Sequence, residues 1–483
     1  MAEMADVEGG QRDHDLLSFM SLIFATHLGF DLSLTLLSVH IDDASIDIEV
    51  RTEKGGYFSV CLAPSKQLLA ARYLDFEDDA LPPETRKLPD LVAVKIPRPG
   101  GDRVRNRKLW SSMAMELQVL RNEYLRNHPN IVELFGVCWE SFSNDTLMPS
   151  FILEAAECDL EKFMSGKLQI DERKVLGLSL DIIAGVCALH DVGIIHADIK
   201  PENVLIFKHP ELTFTAKIAD FGSSVLRSDV KSQMQLTFGT GFWQAPEVRK
   251  PLNGAQLMQA DVFSLGLVLW RLLGGDCMYL TFDSIKDAGI TREAYFEELK
   301  QSNDSDMIPA LTFHSLTLQS RSRTARQYPK GNGDSSSNSP ARHDGNDGQY
   351  SIEATVKRMA ATVCLALAPP GERLPVGGIL QEMRLVTRQY LLWHKGKSES
   401  DRDMQHDEAW SLNPQEEDAW LRAGLARTTP VSPSMEDLLP GDTAAVHVAE
   451  RLVQFLDPDE GISREIRRRL TALETLKGPP GGH

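Results

Sequence analysis

His196-Ala197-Asp198-Ile199-Lys200-Pro201-Glu202-Asn203-Val204 places an aspartate, a lysine two residues on and an asparagine five residues on in one short segment. Gly193-Ile194-Ile195 precedes it and Val204-Leu205-Ile206 follows it. A polar cluster between two short apolar runs reads as a loop held between buried strands. Asp198 suits the acceptance of a hydroxyl proton. Lys200 suits neutralisation of a moving phosphoryl group, and Asn203 offers the hard carbonyl oxygen that Mg²⁺ accepts. So short a pattern also fits a polar surface turn, and the neighbours decide between the two.

Downstream, Phe214 to Ile218 has strand composition and ends in Ala219-Asp220-Phe221-Gly222. Gly239-Thr240-Gly241-Phe242-Trp243 and Ala245-Pro246-Glu247 follow. Asp261-Val262-Phe263-Ser264-Leu265-Gly266 opens an apolar helix that runs to Leu273, with Asp261 suited to its N-cap. Upstream, Leu91-Val92-Ala93-Val94-Lys95-Ile96 reads as a strand with a lysine near its end, and Leu109 to Arg126 reads as a helix.

This ordered series resembles the eukaryotic-type protein kinase superfamily, on the serine/threonine side, over roughly Ser45 to Arg388. The loop is similar to the family's His-Arg-Asp-x-x-x-x-Asn, with Ala197 where most members have arginine. The resemblance implies a bilobal α+β fold. A small β-rich lobe with one helix would span 45–153, and a larger helical lobe 157–392. It implies ATP and Mg²⁺ as cofactors, Asp198 as catalytic base, Lys200 as the partner of the transferred charge, and Asn203 with Asp220 as metal ligands. Thr240 would touch both Asp198 and Lys200. Lys95 would hold the α- and β-phosphates and pair with Glu116, with Glu123 as the alternative partner. Leu120, one turn beyond Glu116, would stack in the hydrophobic spine between the lobes. Phe221 would pack under the small-lobe helix, and Gly222 would free the backbone for the turn. Asp261 would brace the loop backbone, and Arg373 would pair with Glu247.

The nucleotide roof is the weakest match. Glu53-Lys54-Gly55-Gly56-Tyr57-Phe58-Ser59-Val60 aligns with the glycine-rich loop and keeps Gly55, Gly56 and Val60. Glu53 and Phe58 replace its first and third glycines. Ala93 and Leu205 join the nucleotide site by the same resemblance. Leu153 would be the gatekeeper, and the backbone of Glu154 and Ala156 would meet the adenine edge. Asp159 would reach the ribose, or else be part of an acidic connector.

Composition narrows the partners. The chain has 483 residues, 42% of them hydrophobic, which is ordinary for a globular core. A net charge of −18, from 69 acids and 51 bases, argues against nucleic acid or an anionic membrane. The six cysteines are scattered singly, with no zinc or disulfide spacing, which fits a reducing, cytoplasmic compartment; the nucleus fits as well. Leu16 to Leu37 is interrupted by His27 and Asp31, too broken for a membrane span, and reads as mostly helical to about Ser38. Ile46 to Val50 alternates as a strand, and Ala70 to Asp90 reads as a surface insertion. Residues 1–44 form an N-terminal extension, about 320–350 a disordered insertion, and 393–483 an acidic extension with a helical stretch at Val446 to Leu476. Arg467-Arg468-Arg469 on that stretch is a solvated face or a dock for an acidic partner.

Two functions follow from the resemblance. One is an active serine/threonine kinase acting on protein substrates, with regulatory partners engaging the extensions. The other is a pseudokinase that binds nucleotide as a scaffold, which the altered glycine loop favours and the intact polar residues oppose. Ala197 carries a further expectation. Without a cation there, activity does not wait on a phosphate in the activation segment, even if Ser232 or Thr237 is phosphorylated.

Overall fold

The computed structural model describes residues 57–65, 88–100, 102–141, 147–165, 172–210, 212–236, 239–274, 291–301, 307–313, 315–317 and 352–396, together with 19, 37–38 and 49–51. Gly55, Gly56, Thr237, the 320–350 insertion and everything after 396 lie outside the described residues.

The small lobe is a six-stranded sheet in the order β1-β5-β6-β4-β3-β2. Its strands are β1 (Leu37–Ser38), β2 (Glu49–Arg51), β3 (Phe58–Pro64), β4 (Leu91–Pro97), β5 (Leu134–Ser141) and β6 (Leu147–Glu154). The pairs from β2 to β6 are antiparallel, and the register sets Val60 opposite Lys95 and Ala93 opposite Leu153. Leu37–Ser38 corrects the helical reading of that stretch, because it pairs in parallel with Cys138 and Trp139 at the sheet edge.

One helix, α1 (Arg103–Leu120), packs on this sheet. It starts earlier and ends earlier than its apolar pattern suggests. Asp102 is the N-cap, and its carboxylate accepts from the Val104 amide at 3.0 Å. Asn122 then accepts from the Tyr124 amide, a local bond that competes with further helix. Glu123 therefore lies past the helix, which removes it as the partner of Lys95. The apolar face of α1, Leu109, Met113, Leu117 and Leu120, is buried.

The large lobe follows β7 (Cys158–Asp159) and is mainly helical, with α2 (Leu160–Ser165), α3 (Glu172–Asp191), α4 (Gly254–Gly274), α5 (Arg292–Gln301), α6 (Ile352–Leu367) and α7 (Val376–Gly396). The short β8 (Ile194–Ile195), β9 (Val204–His209), β10 (Thr213–Ile218) and β11 (Val225–Leu226) line its upper surface. Helix α4 is long and apolar enough to cross a membrane, yet its apolar window is 89% buried inside the lobe. It packs closely on α6, where a β-carbon on Gly266 would stand 2.8 Å from a Leu367 methyl. Asp261 lies two turns inside α4 and is not its N-cap. Asn253 begins the helix instead, exchanging side-chain and backbone bonds with Gln256 at 2.9 Å each.

Candidate active site

The cleft between the lobes is closed behind by residues 154–157, whose Glu157 amide bonds the Ile206 carbonyl. Val60 and Ala93 come from the sheet above, and Leu205 from β9 below. Glu154 ends β6 and its carboxylate is held by Lys217 at 2.6 Å. No protein group among the described residues bonds the Ala156 amide, which leaves it for an outside acceptor. Asp159 has another occupation: one oxygen accepts from the Lys162 amide at 2.8 Å and the other meets the Lys162 ammonium at 2.6 Å. These contacts cap α2, and each carboxylate oxygen keeps a lone pair for a further donor.

β4 delivers Lys95 to the back of the cleft. Its ammonium lies 2.6 Å from Glu116 of α1 and 2.8 Å from Asp220. Burial opposes the charge on Lys95, but Asp220 and Glu116 together outweigh it and hold the lysine above its ordinary value. The two carboxylates fare differently. Burial raises Glu116 despite Lys95, and Asp220 adds to the rise. Asp220, at the open edge of the cleft, is also opposed by loss of solvent, yet Lys95 pulls it below the ordinary carboxylate range. The ring of Phe58, in place of the third glycine, lies 4.6 Å from the Lys95 ammonium.

Between β8 and β9 the chain folds Asp198, Lys200 and Asn203 together. Asp198 Oδ1 accepts from the amide and hydroxyl of Thr240 at 2.9 and 3.0 Å. Lys200 meets Asp198 Oδ2 at 2.8 Å and donates to the Thr240 hydroxyl at 2.9 Å. The Asn203 side-chain nitrogen donates to the Asp198 backbone carbonyl at 2.8 Å and to its carboxylate at 3.1 Å. The side-chain carbonyl oxygen of Asn203, on the other arm of that amide, is left to accept a cation. Asp220 Oδ2 has no protein partner among the described residues, and 47% of the side chain opens to the cleft. The two loops are tied by the Ala219 amide on the Asn203 backbone carbonyl at 3.0 Å. Two hard oxygens, one of them anionic, fit Mg²⁺ chemistry.

His196 and Asp261 hold this arrangement from beneath. Asp261 accepts from the His196 and Ala197 amides at 2.7 and 2.9 Å and touches His190 at 3.1 Å. The buried His196 ring donates toward the Ala219 carbonyl at 3.1 Å and meets the Phe221 ring edge-on at 5.4 Å. Leu120 and Phe221 are buried in the same core. Gly222 passes so close to α1 that an added β-carbon would lie 2.0 Å from the Ser112 hydroxyl. Arg373 reaches Glu247 at 2.6 Å and also donates to the Gln259 carbonyl at 2.6 Å.

Of the sequence-derived site residues, the structure brings together Lys95, Glu116 and Asp220 in one group, and Asp198, Lys200, Asn203 and Thr240 in another. Sequence reasoning missed Lys217, which holds Glu154; Ser112, which faces Gly222; and the approach of Phe58 to Lys95. Only Phe58 stood inside a recognised pattern.

The family description "Protein kinase domain" matches residues 85–327, half of the chain. The chain belongs to that family, and its mixed small lobe and helical large lobe are the family's α+β fold. Strands β1, β2 and β3 and helices α6 and α7 lie outside the matched span. A serine/threonine-protein kinase of Arabidopsis thaliana, STY17, is 33% identical over 190 residues, covering 39% of this chain and 30% of that protein. Mitogen-activated protein kinase kinase kinase 13-A of Xenopus laevis is 33% identical over 187 residues, 38% of this chain and 18% of that protein. The dual specificity protein kinase shkD of Dictyostelium discoideum is 29% identical over 235 residues, 47% and 28% of the two chains. The chain thus spans under a third of the length of these relatives.

Proposed function

We propose that the protein transfers the γ-phosphoryl group of ATP to serine or threonine hydroxyls of other proteins. The observation that carries this reading is the Asp198 cluster. One carboxylate oxygen is fixed by Thr240, and the other lies on Lys200 at 2.8 Å with Asn203 beside it. Catalysis of this class is mostly positioning and electrostatic stabilisation, and the cluster supplies both.

Asp198 orients the acceptor hydroxyl and takes its proton. Lys200 meets the charge that develops on the moving group. Lys95, fixed by Glu116, holds the nucleotide phosphates in line. Asn203 and Asp220 would hold Mg²⁺, which when bound supplies charge neutralisation across the phosphates. The Ala156 amide and the backbone of Glu154 receive the base. The relatives named as serine/threonine-protein kinases favour this acceptor class. The acidic charge and the five free thiols among the described residues fit a cytoplasmic or nuclear setting.

The test is phosphate transfer by the purified full chain, with ATP and Mg²⁺, to a basic protein and to itself. Transfer to serine and threonine is expected, falling by about two to four orders of magnitude in Asp198→Asn. Heat protection by ATP with no transfer would instead establish a nucleotide-binding pseudokinase. Loss of most activity in Ser232→Ala with Thr237→Ala would refute independence from activation-segment phosphate.

A further inference from the structure

Just beyond Thr240 the chain makes a tight turn over Gly241–Trp243, with the Trp243 amide on the Thr240 carbonyl. Because Thr240 sits on Asp198, this turn forms the wall beside the carboxylate that receives the acceptor hydroxyl. Helix α5 reaches it with a single cation. Lys300 donates to the Gly241 and Phe242 carbonyls at 2.8 Å each and to Glu297 at 3.1 Å. Its side chain is only 2% exposed. The Phe296 ring lies 4.7 Å from its ammonium and packs at a tilt against Phe242 at 4.9 Å. Glu297 also binds Arg249, at the far end of the same segment.

We propose that Lys300 is a positioning residue for the protein acceptor: by covering two carbonyls of the Gly241–Trp243 turn, it fixes the wall against which the acceptor chain docks. This role rests on the kinase reading of Asp198. Seating the lysine here has a cost: burial pulls it down to about 8, more strongly than Glu297 raises it, against which stand its bonds to the two carbonyls. Glu297 on its own helix, and Arg249 and Glu247 from the loop, are the charged groups that bear on it. Deprotonation removes the charge that makes these bonds strong. Its folded value lies below its unfolded one, so the fold gains stability as pH rises from about 8 toward the ordinary lysine range while the turn loses its tie. Stability and acceptor binding should therefore move in opposite directions.

The experiment measures acceptor KM, ATP KM and acceptor-free ATP hydrolysis for wild type, Lys300→Met and Lys300→Arg, using a basic protein as acceptor. Lys300→Met should raise acceptor KM about tenfold, the worth of one charge-assisted bond, with ATP KM and hydrolysis unchanged. Lys300→Arg should recover most of the loss. Wild-type acceptor KM should climb above about pH 8, and this profile decides the matter if Lys300→Met does not fold. An unchanged acceptor KM, an equal fall in ATP hydrolysis, or a flat wild-type profile overturns the role of Lys300 alone. A wild type that transfers nothing overturns the kinase reading and this role together.

Discussion

Replacing Lys95 with methionine should destabilise the protein as well as silence it. The ammonium lies 2.6 Å from Glu116 and 2.8 Å from Asp220, and Glu116 is 1% exposed. At an effective dielectric of about 20, each pairing is worth roughly 6 kcal/mol of gross attraction, part of it cancelled by desolvation of the lysine. Removing one partner of such a buried group typically costs about 3–5 kcal/mol. At roughly 2 °C per kcal/mol for a domain of this size, that is a fall of about 6–10 °C in melting temperature. The pH dependence follows from Glu116. Without Lys95, only burial and Asp220 act on it, and both raise its pKa above the unfolded value. A carboxyl raised in the folded state contributes its stability below the unfolded value and loses it as pH rises through the folded one. The deficit of Lys95→Met should therefore be smaller at pH 5 than at pH 7.5, and Lys95→Met/Glu116→Gln should recover most of it at both. Thermal melts of the three proteins at one scan rate decide this. A deficit under about 1 kcal/mol, or one that is equal at both pH values and indifferent to Glu116→Gln, would refute the reasoning.

Phe58→Gly should lower the KM for ATP several-fold, because the ring stands 4.6 Å from the ammonium proposed to receive the phosphates; steady-state kinetics with an unchanged or raised KM would count against it. The cation–π attraction between ring and ammonium is worth about 0.5–2 kcal/mol, so a modest fall in melting temperature should accompany the gain. Arg373→Met should cost about 3–5 kcal/mol, since it strands the half-buried Glu247 and leaves the Gln259 carbonyl uncovered. Adding Glu247→Gln should cost little more, and a double variant as unstable as the sum of the singles would show that the pair is not coupled.

The polar residues of the site were legible because phosphoryl transfer needs particular side chains at fixed short spacings, and those spacings survive in a linear reading. Lys95, Asp198, Asn203 and Asp220 each sit at the end of an apolar strand or in the loop after one, where period and punctuation are plain. Boundaries were read less well, and two errors had a visible remedy. Asp102 after Gly100-Gly101 is an N-cap signal for α1, and Asn253 with Gln256 is a capping box that starts α4 before Asp261. Other features left no local mark. Leu37–Ser38 joins a sheet edge at Cys138, a pairing that nothing in a two-residue segment encodes. Asp159 was readable as either a ribose ligand or a connector, and its capping of α2 left no mark in the sequence. Lys300 is one lysine among many until α5 folds against Gly241.

Two residues of the site adopt left-handed backbone conformations without being glycine: Ala197 at φ 65° and Asp220 at φ 63°. Each costs about 1–3 kcal/mol, so each must be over-determined by its surroundings. For Ala197 the source is Asp261, whose two oxygens accept from consecutive amides at 2.7 and 2.9 Å. Bonds of that charge-assisted kind are worth about 1.5–3 kcal/mol each, enough to offset the strain. For Asp220 the restraints are Lys95 on its carboxylate and His196 on the preceding carbonyl. His196 belongs to both sets, since its amide is on Asp261 and its ring is on Ala219. The Asp198 loop and the Asp220 loop are thus locked to each other and to α4 through one buried histidine. A lock seated in the core does not need a cation at position 197 to shape the loop, which is the physical ground for reading activity as independent of a phosphate in the activation segment. The turn at Gly241–Trp243 stands apart from that lock, tied to the loop through Thr240 and to the rest of the lobe in part by the Lys300 ammonium.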